Sequence, residues 1–250
     1  MKIANKSCDI IKSVLNIVNS FLEETVILFS EKGIGIADYD LSKTVFISVI
    51  VKKEKFEEYN TEGDLQVAIK LKNIHEIFNK TTENESFSIS LEDDKRLLIN
   101  INGETVREYS LPLIDLEYKD IKEPVYEFKT SILIPFSILS QIIENAKLIG
   151  ENIKFIISEN KISFDVSETN KKGFFKIAED SNSRIKIENN GGNFSSEYYL
   201  PSLSGIINSL SDKKDITCKM YFGENLPLKL EFNNNDFKVS FYLGPKIESN

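Results

Sequence analysis

The chain has 250 residues, 41% of them apolar, and a formal charge of −8. No apolar run approaches the roughly 20 residues that a membrane-spanning helix needs, and the acidic balance excludes a simple basic DNA-coating module. The length suits one large domain or two smaller ones of ordinary size.

The start, MKIANKSCD, turns amphipathic at once and carries Asp9, which does not read as a leader; a soluble intracellular protein is expected. A first helix is predicted over 10–22 from Ile10, Ile11, Val14, Leu15, Ile17, Val18, Phe21 and Leu22, with Ser7 as its N-cap. TVILFSEKGIGI (25–36) follows as a hairpin. A shorter helix over 71–80 (Leu71, Ile74, Ile77, Phe78) precedes SFSISL (86–91), which alternates as a strand does. The stretch 113–124 fits no period and reads as an extended linker. A third helix over 138–149 (Ile138, Leu139, Ile142, Ile143, Ala146, Ile149) leads into NIKFIISENKISF (152–164). NNGGN (189–193) is a turn with no helix behind it. A fourth helix over 200–210 (Leu200, Leu203, Ile206, Ile207, Leu210) precedes DITCKMYF (215–222).

The third helix and its hairpin repeat the first, and the fourth repeats the second, both offset by half the chain. That marks a duplicated domain that is itself duplicated. Three segments are expected: an N-terminal domain over 1–112, a connector over 113–125 and a C-terminal domain over 126–250. Each half places two helices against antiparallel strands, a layered α+β structure.

Little in the chain suggests catalysis. The one histidine, His75, lies on the second helix with no nucleophile motif to support it, and reads as structural. Cys8 and Cys218 lack metal-ligand spacing and read as reduced thiols. The acidic neighbours Asp93 with Asp94 and Glu57 with Glu58 fall in turns or strand edges. No metal cluster or phosphate loop is evident, so no metal, cofactor or enzymatic activity is expected.

The polar helix faces differ from the rest of the chain. They are Lys12, Ser13, Asn16, Asn19 and Ser20; Lys72, Asn73, Glu76, Asn79 and Lys80; Ser140, Gln141, Glu144, Asn145 and Lys147; and Ser202, Ser204, Asn208 and Ser209. These carry four lysines and two glutamates, whereas acids outnumber bases 39 to 31 overall. A common face of this kind tolerates a polyanion through water-mediated contacts; the alternative is four ordinary solvated helix faces.

FKVSFYLGPKIE (237–248), YFGENLPLKL (221–230), GIGIADYD (33–40), FEEY (56–59) and LPLID (111–115) stand in the order and spacing of one family. In these residues the chain resembles the sliding clamps of the proliferating cell nuclear antigen type, particularly archaeal members. The resemblance implies a closed ring of three two-domain subunits around duplex DNA, loaded by a clamp loader. It also implies tethering of DNA polymerase, flap nuclease and DNA ligase through short peptide motifs. The DNA-facing residues would be Lys12, Asn16, Asn19, Lys72, Lys80, Lys147 and Asn208. The peptide pocket, beneath the linker, would be walled by Tyr39, Phe46, Ile121, Phe128, Pro227, Tyr242, Leu243, Gly244 and Pro245. Subunits would join along 104–110 and 171–177, with Tyr109, Phe175, Phe78 and Ile142 at the interface. The chain departs from the family at Ser13, Asn19, Glu76, Asn79, Glu144 and Asn208, where a base is usual. This weakens the expected grip on DNA and fits either a homotrimer on a weakly basic track or one subunit of a heterotrimer. A checkpoint- or repair-type clamp is the nearest alternative, and an enzyme with an unrecognised acidic site a more distant one. Expected placement is cytoplasmic and nucleoid-associated in an archaeon, or nuclear in a eukaryote.

Overall fold

The computed structural model describes residues 1–93, 95–117, 121–158, 161–178, 184–211 and 216–246. Asp94, residues 118–120 of the linker, Asp215 and residues 247–248, all named above, lie outside them. The chain forms two units. The first comprises residues 1–41, 47–123 and 235–239, and the second 42–46, 124–234 and 240–250. The short segments 42–46 and 235–239 are therefore exchanged.

In the first unit the elements are β1 (Lys2–Asn5), α1 (Asp9–Asn19), β2 (Glu24–Ser30), β3 (Gly33–Tyr39), β4 (Val45–Lys52), β5 (Glu58–Asn60), β6 (Leu65–Lys70), α2 (Leu71–Asn79), β7 (Ser86–Glu92), β8 (Arg96–Asn102) and β9 (Val106–Pro112). One antiparallel sheet runs β5-β1-β7-β8-β9, and a second runs β4-β3-β2-β6. In the second unit they are β10 (Thr130–Pro135), α3 (Phe136–Ala146), β11 (Asn152–Ser158), β12 (Lys161–Glu168), β13 (Lys171–Ala178), β14 (Lys186–Asn189), β15 (Phe194–Tyr199), α4 (Leu200–Ser209), β16 (Thr217–Phe222), β17 (Leu228–Asn233) and β18 (Lys238–Leu243). Here the sheets run β13-β12-β11-β15 and β14-β10-β16-β17-β18. The pattern strand–helix–three strands thus occurs four times, beginning at β1, β6, β10 and β15.

Each helix buries one stripe: Ile11, Val14, Leu15 and Val18 on α1, and Leu139, Ile142, Ile143 and Ala146 on α3. The strands bury alternate residues, as at Ile162, Phe164 and Val166 of β12, which fixes their register against the core. A buried aromatic cluster lies in the second unit. Phe155 stands edge-on to Phe164, Tyr198 and Phe222 at centroid distances of 4.7, 5.2 and 5.8 Å.

Three helices begin without a loop or a side-chain cap. α2, α3 and α4 follow directly from β6, β10 and β15, and their first N–H groups, on Leu71, Phe136 and Leu200, donate to the carbonyls of Glu23, Ile216 and Glu151 at 2.8–3.0 Å. A neighbouring backbone thus satisfies a donor that a Ser or Asp cap would otherwise take. α1 also differs from expectation, because Cys8 rather than Ser7 sits at the cap position. The Ser7 hydroxyl still accepts from the Asp9 N–H at 3.1 Å.

Gly33 opens β3 at φ +129°, and a Cβ there would lie 2.1 Å from the Val51 carbonyl oxygen. Only glycine fits so close to another backbone in that conformation, which accounts for the first glycine of GIGIADYD.

Candidate functional site

Three kinds of surface carry the residues singled out in the sequence. The first is the exposed face of the helix pairs. In the first unit α1 and α2 are bridged by His75, whose Nε2 lies 2.9 Å from Asn16 Oδ1 and 3.1 Å from Asn79 Nδ2, with Asn19 Nδ2 3.5 Å from its Nδ1. His75 is therefore a polar strut between helices. In the second unit Ser204 holds the matching position, bonded to Glu144 at 3.5 Å and accepting from Asn208 at 3.3 Å. Both helix pairs carry a groove. That of the first unit is about 1100 Å³ and includes Asn19, Lys72, Asn79 and Lys80; that of the second is about 390 Å³ and includes Lys147 and Asn208.

The four helix lysines are not equally available. Half-buried Lys12 donates its ammonium to the Thr81 carbonyl at 3.1 Å, which ties α1 to the end of α2. Lys72 pairs with Glu76 at 3.9 Å and Lys147 with Glu144 at 3.2 Å, each about one turn along its own helix. Lys80 alone of the four has no such partner among the described residues. The face is polar and nearly neutral.

The second surface lies beneath the linker. A groove of about 440 Å³ in the first unit has an apolar floor from β2, β3 and β4, including Val26, Leu28, Ile36 and Ile50, and is closed above by Leu116 and Ile121. Among the described residues its rim holds Glu24, Asp38, Glu117 and Glu123 and no lysine or arginine. Of the residues expected here, only Ile121 lines it; Tyr39, just beyond Asp38, is exposed. The floor was missed because β2 and β4 are apolar on both faces, and residue type then does not tell a core face from a groove floor. Ile50 shows the difference only in its exposure, 44%.

The other expected pocket residues belong to the second unit. Tyr126 and Phe128 stack in series with Tyr242 and Tyr221, at centroid distances of 5.8–6.2 Å. Lys229 lies over the rings of Tyr221 and Tyr242, 5.5 and 5.2 Å from their centroids. Phe46 meets Tyr242 edge-on at 5.8 Å. Phe46, Tyr242 and Leu243 are almost fully buried, so they support this patch from below and do not wall it. Phe128, Pro227 and Pro245 are half-buried, and Gly244 is exposed. Tyr126, not singled out in the sequence, is the most exposed aromatic of the patch.

The third kind of surface is a pair of sheet edges. β9 ends one sheet of the first unit and β13 one of the second. Tyr109 and Phe175 are half-buried on them, in register with Ile99 and Phe164. Phe78 is wholly buried against Phe87, and Ile142 nearly so, so both back their sheets from the core. β9 is held by Arg107, whose guanidinium pairs with Glu85. The Thr82 N–H at 2.8 Å and the Arg107 charge keep the Glu85 carboxyl below its ordinary value.

No group of three or more potential metal ligands occurs among the described residues. Both cysteines are free and buried, and burial pushes their thiols up, which makes them poor nucleophiles. No helix is long and apolar enough to cross a membrane among the described residues.

Residues 2–121 match the family described as proliferating cell nuclear antigen, N-terminal domain. A sliding clamp of Methanococcus maripaludis is 27% identical over 243 residues, covering 95% of this chain and 96% of that protein. DNA polymerase sliding clamp 2 of Sulfolobus acidocaldarius is 25% identical, covering 94% and 95%. Among solved structures, the clamp of Thermococcus kodakaraensis superposes with a TM-score of 0.89 at 21% identity, over 98% of this chain and 99% of that one. A clamp complex of two different subunits from Sulfolobus tokodaii gives 0.85 at 22%, over 99% and 100%. At these identities the structural likeness establishes the fold.

Proposed function

The chain belongs to the proliferating cell nuclear antigen family of DNA polymerase sliding clamps, and from that premise we propose that a closed trimeric ring containing it encircles duplex DNA and carries client enzymes along it. It is a processivity factor and not an enzyme. The observation that carries the DNA side of the proposal is the state of the helix lysines. With Lys12, Lys72 and Lys147 already engaged, the helix faces release few counterions on meeting phosphate. Since each phosphate neutralised contributes a salt slope of about −0.9, binding of the open subunit is weak and shallow. A ring held by topology needs no more, and weak contact lets it slide.

For clients, the groove under the linker suits a short segment bearing one or two aliphatic or aromatic anchors. The four carboxylates on its described rim favour a client with lysine or arginine beside those anchors. The aromatic patch of the second unit, with Tyr126 exposed over Tyr242, is a second anchoring surface. DNA polymerase, flap nuclease and DNA ligase are the proposed clients.

Primer extension on singly primed circular DNA tests this reading. With a clamp loader present, the chain, alone or with sister subunits, lengthens the products of a cognate polymerase and shows no turnover of its own. Product lengths that do not change under any loader or subunit combination would contradict it.

A further inference from the structure

The groove of the first helix pair is balanced in fixed charge. α2 contributes Lys72, Glu76 and Lys80 to it, β6 contributes Lys70, and the start of β2 contributes Glu24, with Glu23 just before it. Three lysines thus face three carboxylates, and most are already matched. Lys72 pairs with Glu76 at 3.9 Å, and Lys70 stands opposite Glu24 in the β2–β6 register. The lysine of α1, Lys12, is held by the Thr81 carbonyl. The remaining ionisable group of the groove among the described residues is His75.

Its surroundings suit either charge state. The ring is half-buried, and its nitrogens meet amides: Nε2 meets Asn16 and Asn79, and Nδ1 meets Asn19. Asn16 offers its oxygen, whereas Asn19 and Asn79 offer nitrogen. An amide flipped end for end exchanges the two. The three asparagines therefore bond a neutral ring, with one N–H and one lone pair, or a protonated ring with two N–H groups. A carboxylate in their place would hold the ring charged, and an apolar wall would hold it neutral. The second unit lacks this arrangement. There Ser204 takes the place of the histidine, beside Glu144, and the charged residues of the groove are Lys147 and Glu151 among the described residues.

Phosphate shifts the balance. Histidine is the side chain whose charge changes in the neutral range of pH, and an anion beside it favours the charged form. Because the fixed charges cancel, a single proton turns this groove positive. Lys80, which has no ion pair among the described residues, lines the same groove next to Asn79. Linkage then runs both ways: if phosphate favours the proton, the proton strengthens phosphate binding by the same factor.

We infer that a backbone phosphate of duplex DNA seats in the α1–α2 groove against Lys80 and His75, and that His75 takes a proton from solvent as it does so. The inference rests on the DNA side of the reading above and deepens it, since the grip of the first helix pair varies with pH and that of the second does not. Fluorescence anisotropy of the full chain with a short labelled linear duplex, at fixed ionic strength, tests it. Affinity rises about fivefold from about pH 8 to about pH 6, the low end for coupled sites. The slope of log affinity against log salt steepens by about 0.9 for the added charge. H75Q keeps an amide strut between the helices but takes no proton, and binds with one affinity at both pH values. H75K, charged throughout, also loses the pH gain, but at a higher affinity than H75Q. Circular dichroism confirms that each variant is folded.

An unaltered chain with equal affinity at both pH values, or a folded H75Q or H75K protein that keeps the gain, would overturn the inference. So would a duplex that binds at neither pH. Loading onto nicked circular DNA at about pH 8 then separates the two readings. A chain retained on the circle, alone or with sister subunits, keeps encirclement and loses only the phosphate seat. If it is never retained, both fall.

Discussion

Phe155→Ala lowers the unfolding free energy by about 3–5 kcal/mol, the range for removing a large aromatic from a packed core. The Phe155 ring is fully buried and meets Phe164, Tyr198 and Phe222 edge-on. Its loss removes both the buried area and three oriented ring contacts, and the surrounding β-sheet cannot collapse into the space without breaking register. Tyr198 adds a second constraint, since its hydroxyl donates to the Leu226 carbonyl at 3.1 Å and cannot swing into the cavity without losing that bond. Denaturant unfolding at fixed protein concentration, compared with Tyr126→Ala as a surface control, measures the effect. A loss below about 1 kcal/mol, the ordinary size for a point substitution, would show that the cluster is not the core of the second unit.

Ile50→Asp weakens capture of a client peptide by roughly 30-fold or more, the factor that corresponds to about 2 kcal/mol at a binding hot spot. Ile50 lies on the groove floor with Val26, Leu28 and Ile36, and its replacement sets a carboxylate among apolar anchors and beside an already acidic rim. Because the side chain is already 44% exposed, the fold loses little, and the melting temperature stays close to that of the unaltered chain. Fluorescence anisotropy with a labelled client-derived peptide reads the loss. Unchanged affinity, with the variant folded, would mean that clients dock elsewhere, and Tyr126→Ala would then locate the site on the aromatic patch.

The fold was legible because its elements are strongly periodic and occur twice over. The stripes of α1 and α3 and the alternation of β7 and β12 carry the duplication in plain residue patterns. Helix starts were less legible. α2, α3 and α4 are capped by backbone carbonyls from distant residues, and a hydrogen bond such as Leu200 N–H to Glu151 leaves no mark on residue type. The same limit explains Lys12. Its spacing places it on a polar helix face, but its ammonium is taken by Thr81, 69 residues away. The groove floor was hidden because Ile50 stands in a nearly continuous apolar strand, VFISVIVK, in which residue type does not separate the face on the core from the face on the groove. Conversely, Phe46 and Leu243 were read as pocket walls through the family resemblance, whereas the packing puts them beneath the surface. The expected edges at 104–110 and 171–177 fall on the strands β9 and β13, because a strand's presence can be read from its sequence. Their openness could not be read, since it depends on which other strands stop short of them.

On the proposed function, this chain holds DNA by encirclement. The measurement that tests it most directly is retention on DNA before and after the circle is cut. A labelled ring is loaded onto nicked circular DNA with a clamp loader, washed at a salt concentration that strips electrostatic binders, and followed after a restriction enzyme linearises the circle. The ring is expected to survive the wash on the circle and to run off the linear product. A protein that is lost from the intact circle, or that stays on linear DNA with free ends, would contradict it.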